Sequence, residues 1–125
     1  MTVWIVLALS AAGGVGAALR LIVDGVVKAR TRMAYPLGTT LINITGSFLL
    51  GLVTGLALSH FLPVEWRLIL GTGLLGGYTT FSTASFETVR LAQDGRYLAS
   101  TINGFGMLAG ALLAAGLGLW RGGLF

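Results

Sequence analysis

The sequence predicts an all-α integral membrane protein with four transmembrane helices in a single domain spanning residues 1–125. Two observations of composition and one of pattern carry that prediction. Apolar residues make up 55% of the chain and charged residues only 10%, where a soluble domain carries roughly 25% charged. A soluble fold this small needs more polar surface than these charges could cover. Four apolar stretches, at residues 3–27, 37–59, 67–92 and 98–120, match the about 20 helical residues that cross a bilayer core about 30 Å thick. Short polar linkers separate them, so consecutive helices must run antiparallel.

The first span has no basic residue before it, exceeds the length of a signal-peptide core and carries its internal arginine, Arg20, late. It therefore reads as a membrane span that ends near Asp24 and a basic cluster of Lys28, Arg30 and Arg32. The second span carries Thr39, Asn43 and Ser47 at intervals of four, which stacks them on one helical face. An amide in hydrocarbon costs several kcal/mol without partners, so Asn43 must meet either another helix or water.

The third span contains Gly76-Gly77-Tyr78-Thr79-Thr80-Phe81-Ser82-Thr83. Adjacent glycines followed by β-branched threonines are poor helix formers. About ten residues (~15 Å) precede them in the span and about twelve (~18 Å) follow. The sequence therefore predicts a helix broken near the bilayer centre. Such irregular backbone is tolerated only where protein or a water-filled cavity covers it, and it is a means of building ion sites. Ser82, Thr83 and Ser85 add hydroxyls after the break, and Glu87 is the only acid well inside a span. The fourth span has an entirely apolar stretch from 107 to 116.

The 20 glycines include the pairs Gly51/Gly55, Gly73/Gly77 and Gly106/Gly110, spaced for close helix approach in lipid. Their number suggests a second subunit. Four spans put both termini on one side, with Arg67 and Arg121. The other side holds Lys28, Arg30, Arg32, Arg90 and Arg96. A bias of five against two places the termini outside the cytoplasm. Trp4, Trp66 and Trp120 lie on the terminal side and Tyr35 and Tyr97 on the other, as interfacial anchors. The absence of cysteine excludes disulfides and thiolate metal sites. Basic residues at helix ends do not form a nucleic-acid surface. The single histidine, His60, has no cysteine or clustered acids beside it for catalysis, so no enzymatic activity is expected.

Three strings resemble one known family nearly end to end: 13–20 (GGVGAALR), 38–47 (GTTLINITGS) and 76–83 (GGYTTFST). The family is that of the fluoride channels, also called CrcB or Fluc proteins. The resemblance implies an antiparallel, dual-topology-type dimer in the cell membrane with two narrow pores that export toxic fluoride passively. It implies that Asn43 lines the fluoride path with Phe81, Ser82 and Thr83, and the polar stripe of the second span adds Thr39 and Ser47 as neutral donors. Arg20 would stand at a vestibule, and Gly76 and Thr79 would offer backbone carbonyls to a structural sodium ion at the dimer interface. Fluoride holds water tightly, and the amide, hydroxyl and aromatic-edge donors of such a path could replace that water. Neutral donors also avoid the tight binding that a fixed cation would impose on a conducting site.

Three departures point toward a heterodimer with a paralogous subunit as the alternative to a homodimer. The position after the Phe-Ser-Thr string, where the family repeats phenylalanine, is Ala84; Phe86 lies about 200° round the helix from it. The fourth span lacks the family's serine/threonine track, and the basic bias is strong for a chain that would insert both ways. Two other functions fit four spans: a proton-coupled multidrug-type exporter, which needs a titratable group at membrane depth, and a non-conducting partner subunit.

Overall fold

The computed structural model describes residues 2–31 and 35–124. Arg32, one of the five basic residues counted above, lies outside them. Helix α1, Val3–Arg30, starts where the Thr2 hydroxyl accepts the Ile5 N–H at 3.3 Å, satisfying one of the donors that a helix start leaves free. It runs one turn beyond the apolar stretch. Lys28 and Arg30 consequently occupy its last turn, where cations favour the helix dipole. Lys28 also pairs with Asp24 one turn back at 2.9 Å. Helix α2, Leu37–Leu58, follows Pro36, which has no N–H to leave unpaired. Beyond it, His60 turns the chain at φ 62°.

Helix α3 covers residues 64–78, entered from Pro63, with Leu68–Leu75 wound as a π-helix. It ends at Tyr78, and Thr79 is extended at φ −78°, ψ 159°. Helix α4, Ser82–Gln93, resumes after Phe81 and stops at Gly95, whose φ of 77° suits glycine. Helix α5, Tyr97–Gly122, contains a second π segment, Ile102–Gly106. Among the described residues there is no strand. The helices α1, α2 and α5 are each long and apolar enough to cross a membrane, and α3 and α4 individually are not.

Two close helix pairs build the unit. Gly51 and Gly55 of α2 lie on the Ala115 and Leu119 carbonyls of α5, and Gly118 and Gly122 of α5 lie on the Phe48 and Leu52 carbonyls of α2. Any Cβ at these positions would enter the opposite backbone. Gly16 meets α3 at the Leu74 carbonyl, while Gly73 and Gly77 meet α1 at the Leu9 and Gly13 carbonyls. Two of the three glycine pairs are thus occupied inside one chain. Gly106 and Gly110 meet only isoleucine side chains, and Gly14, Gly25 and Gly116 meet nothing within 4 Å.

The buried apolar residues among those described are Ile42, Leu75, Leu91, Met107 and Ala114, whereas most large leucines, valines and tryptophans stand outside. So small a core with an apolar exterior is the inverse of a water-soluble fold. It belongs to a multi-pass membrane protein.

Candidate functional site

The interruption between α3 and α4 organises the site. Thr79 closes the end of α3 by directing both its N–H and its hydroxyl to the Leu75 carbonyl, each at 2.9 Å. The Thr80 N–H turns to Asn43 Oδ1 at 2.8 Å instead of to the Gly76 carbonyl four residues back. Asn43 Nδ2 in return donates to the Thr80 carbonyl at 2.7 Å. The Thr80 hydroxyl accepts the Thr83 N–H at 3.1 Å, acting as the N-terminal cap of α4 and drawing that N–H away from the Thr79 carbonyl. The carbonyls of Gly76 and Thr79 are thereby released from the helical ladder, and among the described residues those of Gly77 and Tyr78 accept no backbone bond either.

An open groove of about 520 Å³ runs from this interruption between α2, α4 and α5. Asn43, Ser47, Thr79 and Phe81 line it, together with Thr80, Ala84, Ser85, Thr88, Asn103 and Met107. Of the other residues expected at the site, Ser82 and Thr83 open α4 beside the groove without lining it, and Gly76 lies on the other side of the interruption. Thr39, 3% exposed, is one turn above Asn43 on the same face of α2 and donates to Glu87 Oε1 at 2.5 Å. Arg20 lies apart on α1, where its buried Nε has no hydrogen-bond partner. Phe81, at the edge of the groove, is 86% exposed.

Hydroxyl chemistry separates two classes of residue. Thr45, Thr54, Thr88 and Thr101 donate to the carbonyl four residues back in their own helix, and Thr40 donates to that of Pro36, the residue that caps α2. Among the described residues, the hydroxyls of Ser47, Ser82, Thr83 and Ser85 make no hydrogen bond, so four neutral donors stand uncommitted around the interruption.

Sequence reasoning missed a second buried amide. Asn103 on α5 is 1% exposed and donates to the Thr88 hydroxyl at 2.7 Å, while Ser100 donates to the Thr88 carbonyl at 2.7 Å. These bonds fasten α4 to α5. The fourth span therefore carries polar groups one turn before the apolar stretch 107–116. The argument that singled out Asn43, that an amide in hydrocarbon needs partners, applied equally to Asn103.

A family model described as CrcB-like protein, Camphor Resistance (CrcB), matches residues 7–119. The protein named Fluoride-specific ion channel FluC 1 of Leifsonia xyli subsp. xyli is 64% identical over 124 residues, which is 99% of this chain and 90% of that one. Fluoride-specific ion channel FluC 2 of Cutibacterium acnes is 45% identical over 112 residues, 89% of this chain and 91% of that one. Fluoride-specific ion channel FluC 3 of Bifidobacterium longum is 46% identical over 97 residues, 78% of this chain and 80% of that one. With the match reaching from within α1 to within α5, the chain belongs to the CrcB-like family.

Proposed function

We propose that this chain is a subunit of a fluoride-selective channel of the cell membrane, a transporter rather than an enzyme, giving passive export of toxic fluoride through narrow pores formed at a dimer. The observation that carries the reading is the Asn43–Thr80 pairing, which holds an irregular stretch of backbone next to uncharged hydrogen-bond donors. An ion that surrenders its water needs replacement donors, and donors without net charge let it leave again. Ser47, Ser82, Thr83 and the edge of the Phe81 ring join Asn43 along the path, with Thr39 further along the same α2 face. Arg20, whose guanidinium has no carboxylate partner among the described residues, draws the anion into a vestibule.

In this reading α3 and α4 together form the third of four spans, broken near the bilayer centre. Neither piece crosses alone, and their summed length is that of one crossing. A second subunit packed in antiparallel orientation covers the break. Support comes from lipid chemistry: the interrupted backbone at 79–81, with uncommitted hydroxyls beside it, cannot face hydrocarbon. The freed Gly76 and Thr79 carbonyls fit a sodium ion, a hard cation that takes oxygen ligands from unwound backbone. When bound at the dimer interface, sodium would supply a fixed positive charge joining the two subunits.

A heterodimer is the second reading. It is favoured by the five-to-two basic bias and by Ala84, which lines the groove without contributing a ring. Fluoride efflux from liposomes tests the whole proposal, using the chain alone and then with a second family member from the same genome. Efflux of fluoride without chloride in either preparation is expected. Absence of fluoride efflux in both, or equal passage of chloride, overturns the reading.

A further inference from the structure

The Asn43 amide offers one acceptor and two N–H donors. Thr80 takes the oxygen and one hydrogen, at 2.8 and 2.7 Å. What remains of the donor capacity is directed at the Met107 sulfur of α5, 3.2 Å from Nδ2. Met107 is 5% exposed, and both residues line the same groove. Among the described residues no other acceptor is bonded to Nδ2.

A thioether is a weak acceptor on a flexible, unbranched side chain. It can occupy an N–H without holding it firmly. We infer that Met107 is a displaceable acceptor that sets how strongly Asn43 binds fluoride: the sulfur occupies the amide hydrogen while the site is empty, gives it up to the arriving ion and retakes it as the ion leaves. This inference rests on the channel reading of the same groove. A bare N–H in these apolar surroundings would have no partner but the ion and would release it slowly. A strong oxygen acceptor would hold the hydrogen against the ion. Sulfur lies between the two, which is what a site on a conducting path requires. Met107 thus takes a polar role in a stretch of α5 whose side chains are otherwise alkyl or hydrogen, and its contribution is to selectivity and release rather than to packing alone.

The test measures initial fluoride efflux against internal fluoride concentration in the conducting preparation, chain alone or with its second family member. Met107→Leu conserves volume and removes the acceptor, so the half-saturating concentration and the maximal rate should each fall by about threefold or more. Met107→Gln places an amide oxygen at nearly the same reach, so half-saturation should rise by about threefold or more. A packing role alone would lower flux in both variants without moving half-saturation in opposite directions, and that result, or two unchanged half-saturations, overturns the inference. If wild type passes no fluoride in either preparation, the channel reading falls and takes the inference with it. Fluoride efflux in wild type with unmoved variants removes the inference alone.

Discussion

Asn43 and Thr80 are joined by a reciprocal pair of hydrogen bonds, in which the side-chain amide gives to the backbone carbonyl at 2.7 Å and takes from the backbone N–H at 2.8 Å. An amide side chain thereby does for the backbone of one residue what the helical ladder does for its neighbours. Buried backbone groups must be paired, and in a bilayer no water is present to pair them. The interruption at 79–81 and the polar residue on α2 therefore depend on each other.

Replacing Asn43 should cost both structure and transport. Asn43→Asp retains an acceptor for the Thr80 N–H but leaves the Thr80 carbonyl facing a carboxylate. A buried group left without its partner costs about 1–3 kcal/mol, and fluoride efflux is expected to fall by roughly ten- to a hundredfold on the same scale. Phe81→Ile separates the two effects, because a ring 86% exposed in the chain carries little of its folding. Its thermal stability in detergent should match wild type while efflux falls. Full efflux in both variants would remove these residues from the path.

The glycine contacts give a paired test of packing. Gly118→Ala would drive a methyl group into the Phe48 carbonyl, whereas Gly116→Ala, two residues away on α5, meets nothing within 4 Å. Overpacking of this kind costs about 1–3 kcal/mol, while an alanine in an open helix position gains up to about 1 kcal/mol over glycine. Detergent melting curves should separate the two variants clearly, Gly118→Ala falling and Gly116→Ala not.

How much of this was legible in the sequence varies with the kind of signal. Span positions follow from apolar length, and the placement of Thr39, Asn43 and Ser47 on one face of α2 follows from spacing by four. The first depends on the rise per residue and the second on the helical period, and neither needs tertiary contacts. The identity of Asn43's partners was not legible, because it is the backbone of residue 80, and a main-chain N–H and carbonyl leave no trace in a side-chain pattern. Met107 was read as apolar for a related reason: a sulfur three bonds from the backbone acts as an acceptor only where tertiary packing brings a donor to it. Helix α1 continues to Arg30, past the apolar stretch that ends at residue 27, with Lys28 paired to Asp24 inside it, because hydropathy marks the length of a span and not the end of a helix. Two of the three glycine pairs were legible as close helix contacts, but not as to partner. Spacing cannot distinguish a neighbouring helix of the same chain from one of another.

Glu87 distinguishes a channel from a proton-coupled exporter. Its carboxylate accepts the Thr39 hydroxyl, joining α4 to α2. Glu87→Gln keeps a carbonyl oxygen for that bond and removes the titratable proton. If the residue is a structural acceptor, efflux by Glu87→Gln should stay within about twofold of wild type, the scale of one retained neutral hydrogen bond. It should also be indifferent to an imposed pH gradient. Transport lost in Glu87→Gln, with wild-type flux following the proton gradient, would favour the exporter instead, since coupling needs a titratable group at membrane depth.

Orientation is testable because the chain contains no cysteine. The linker at 94 lies between α4 and α5 and the linker at 62 between α2 and α3; four spans would put the first on the side rich in basic residues and the second on the side of the termini. Single-cysteine variants Asp94→Cys and Leu62→Cys can be labelled in intact cells with a membrane-impermeant maleimide. A chain held in one orientation by its five-to-two basic bias should react from outside at 62 and only after lysis at 94. Equal external labelling at both sites would mean that the chain inserts both ways, which supplies its own antiparallel partner and makes a second gene product unnecessary. One-sided labelling has the opposite consequence: copies that all point the same way cannot pair antiparallel with each other, so the proposed antiparallel dimer would require a subunit of reversed charge bias.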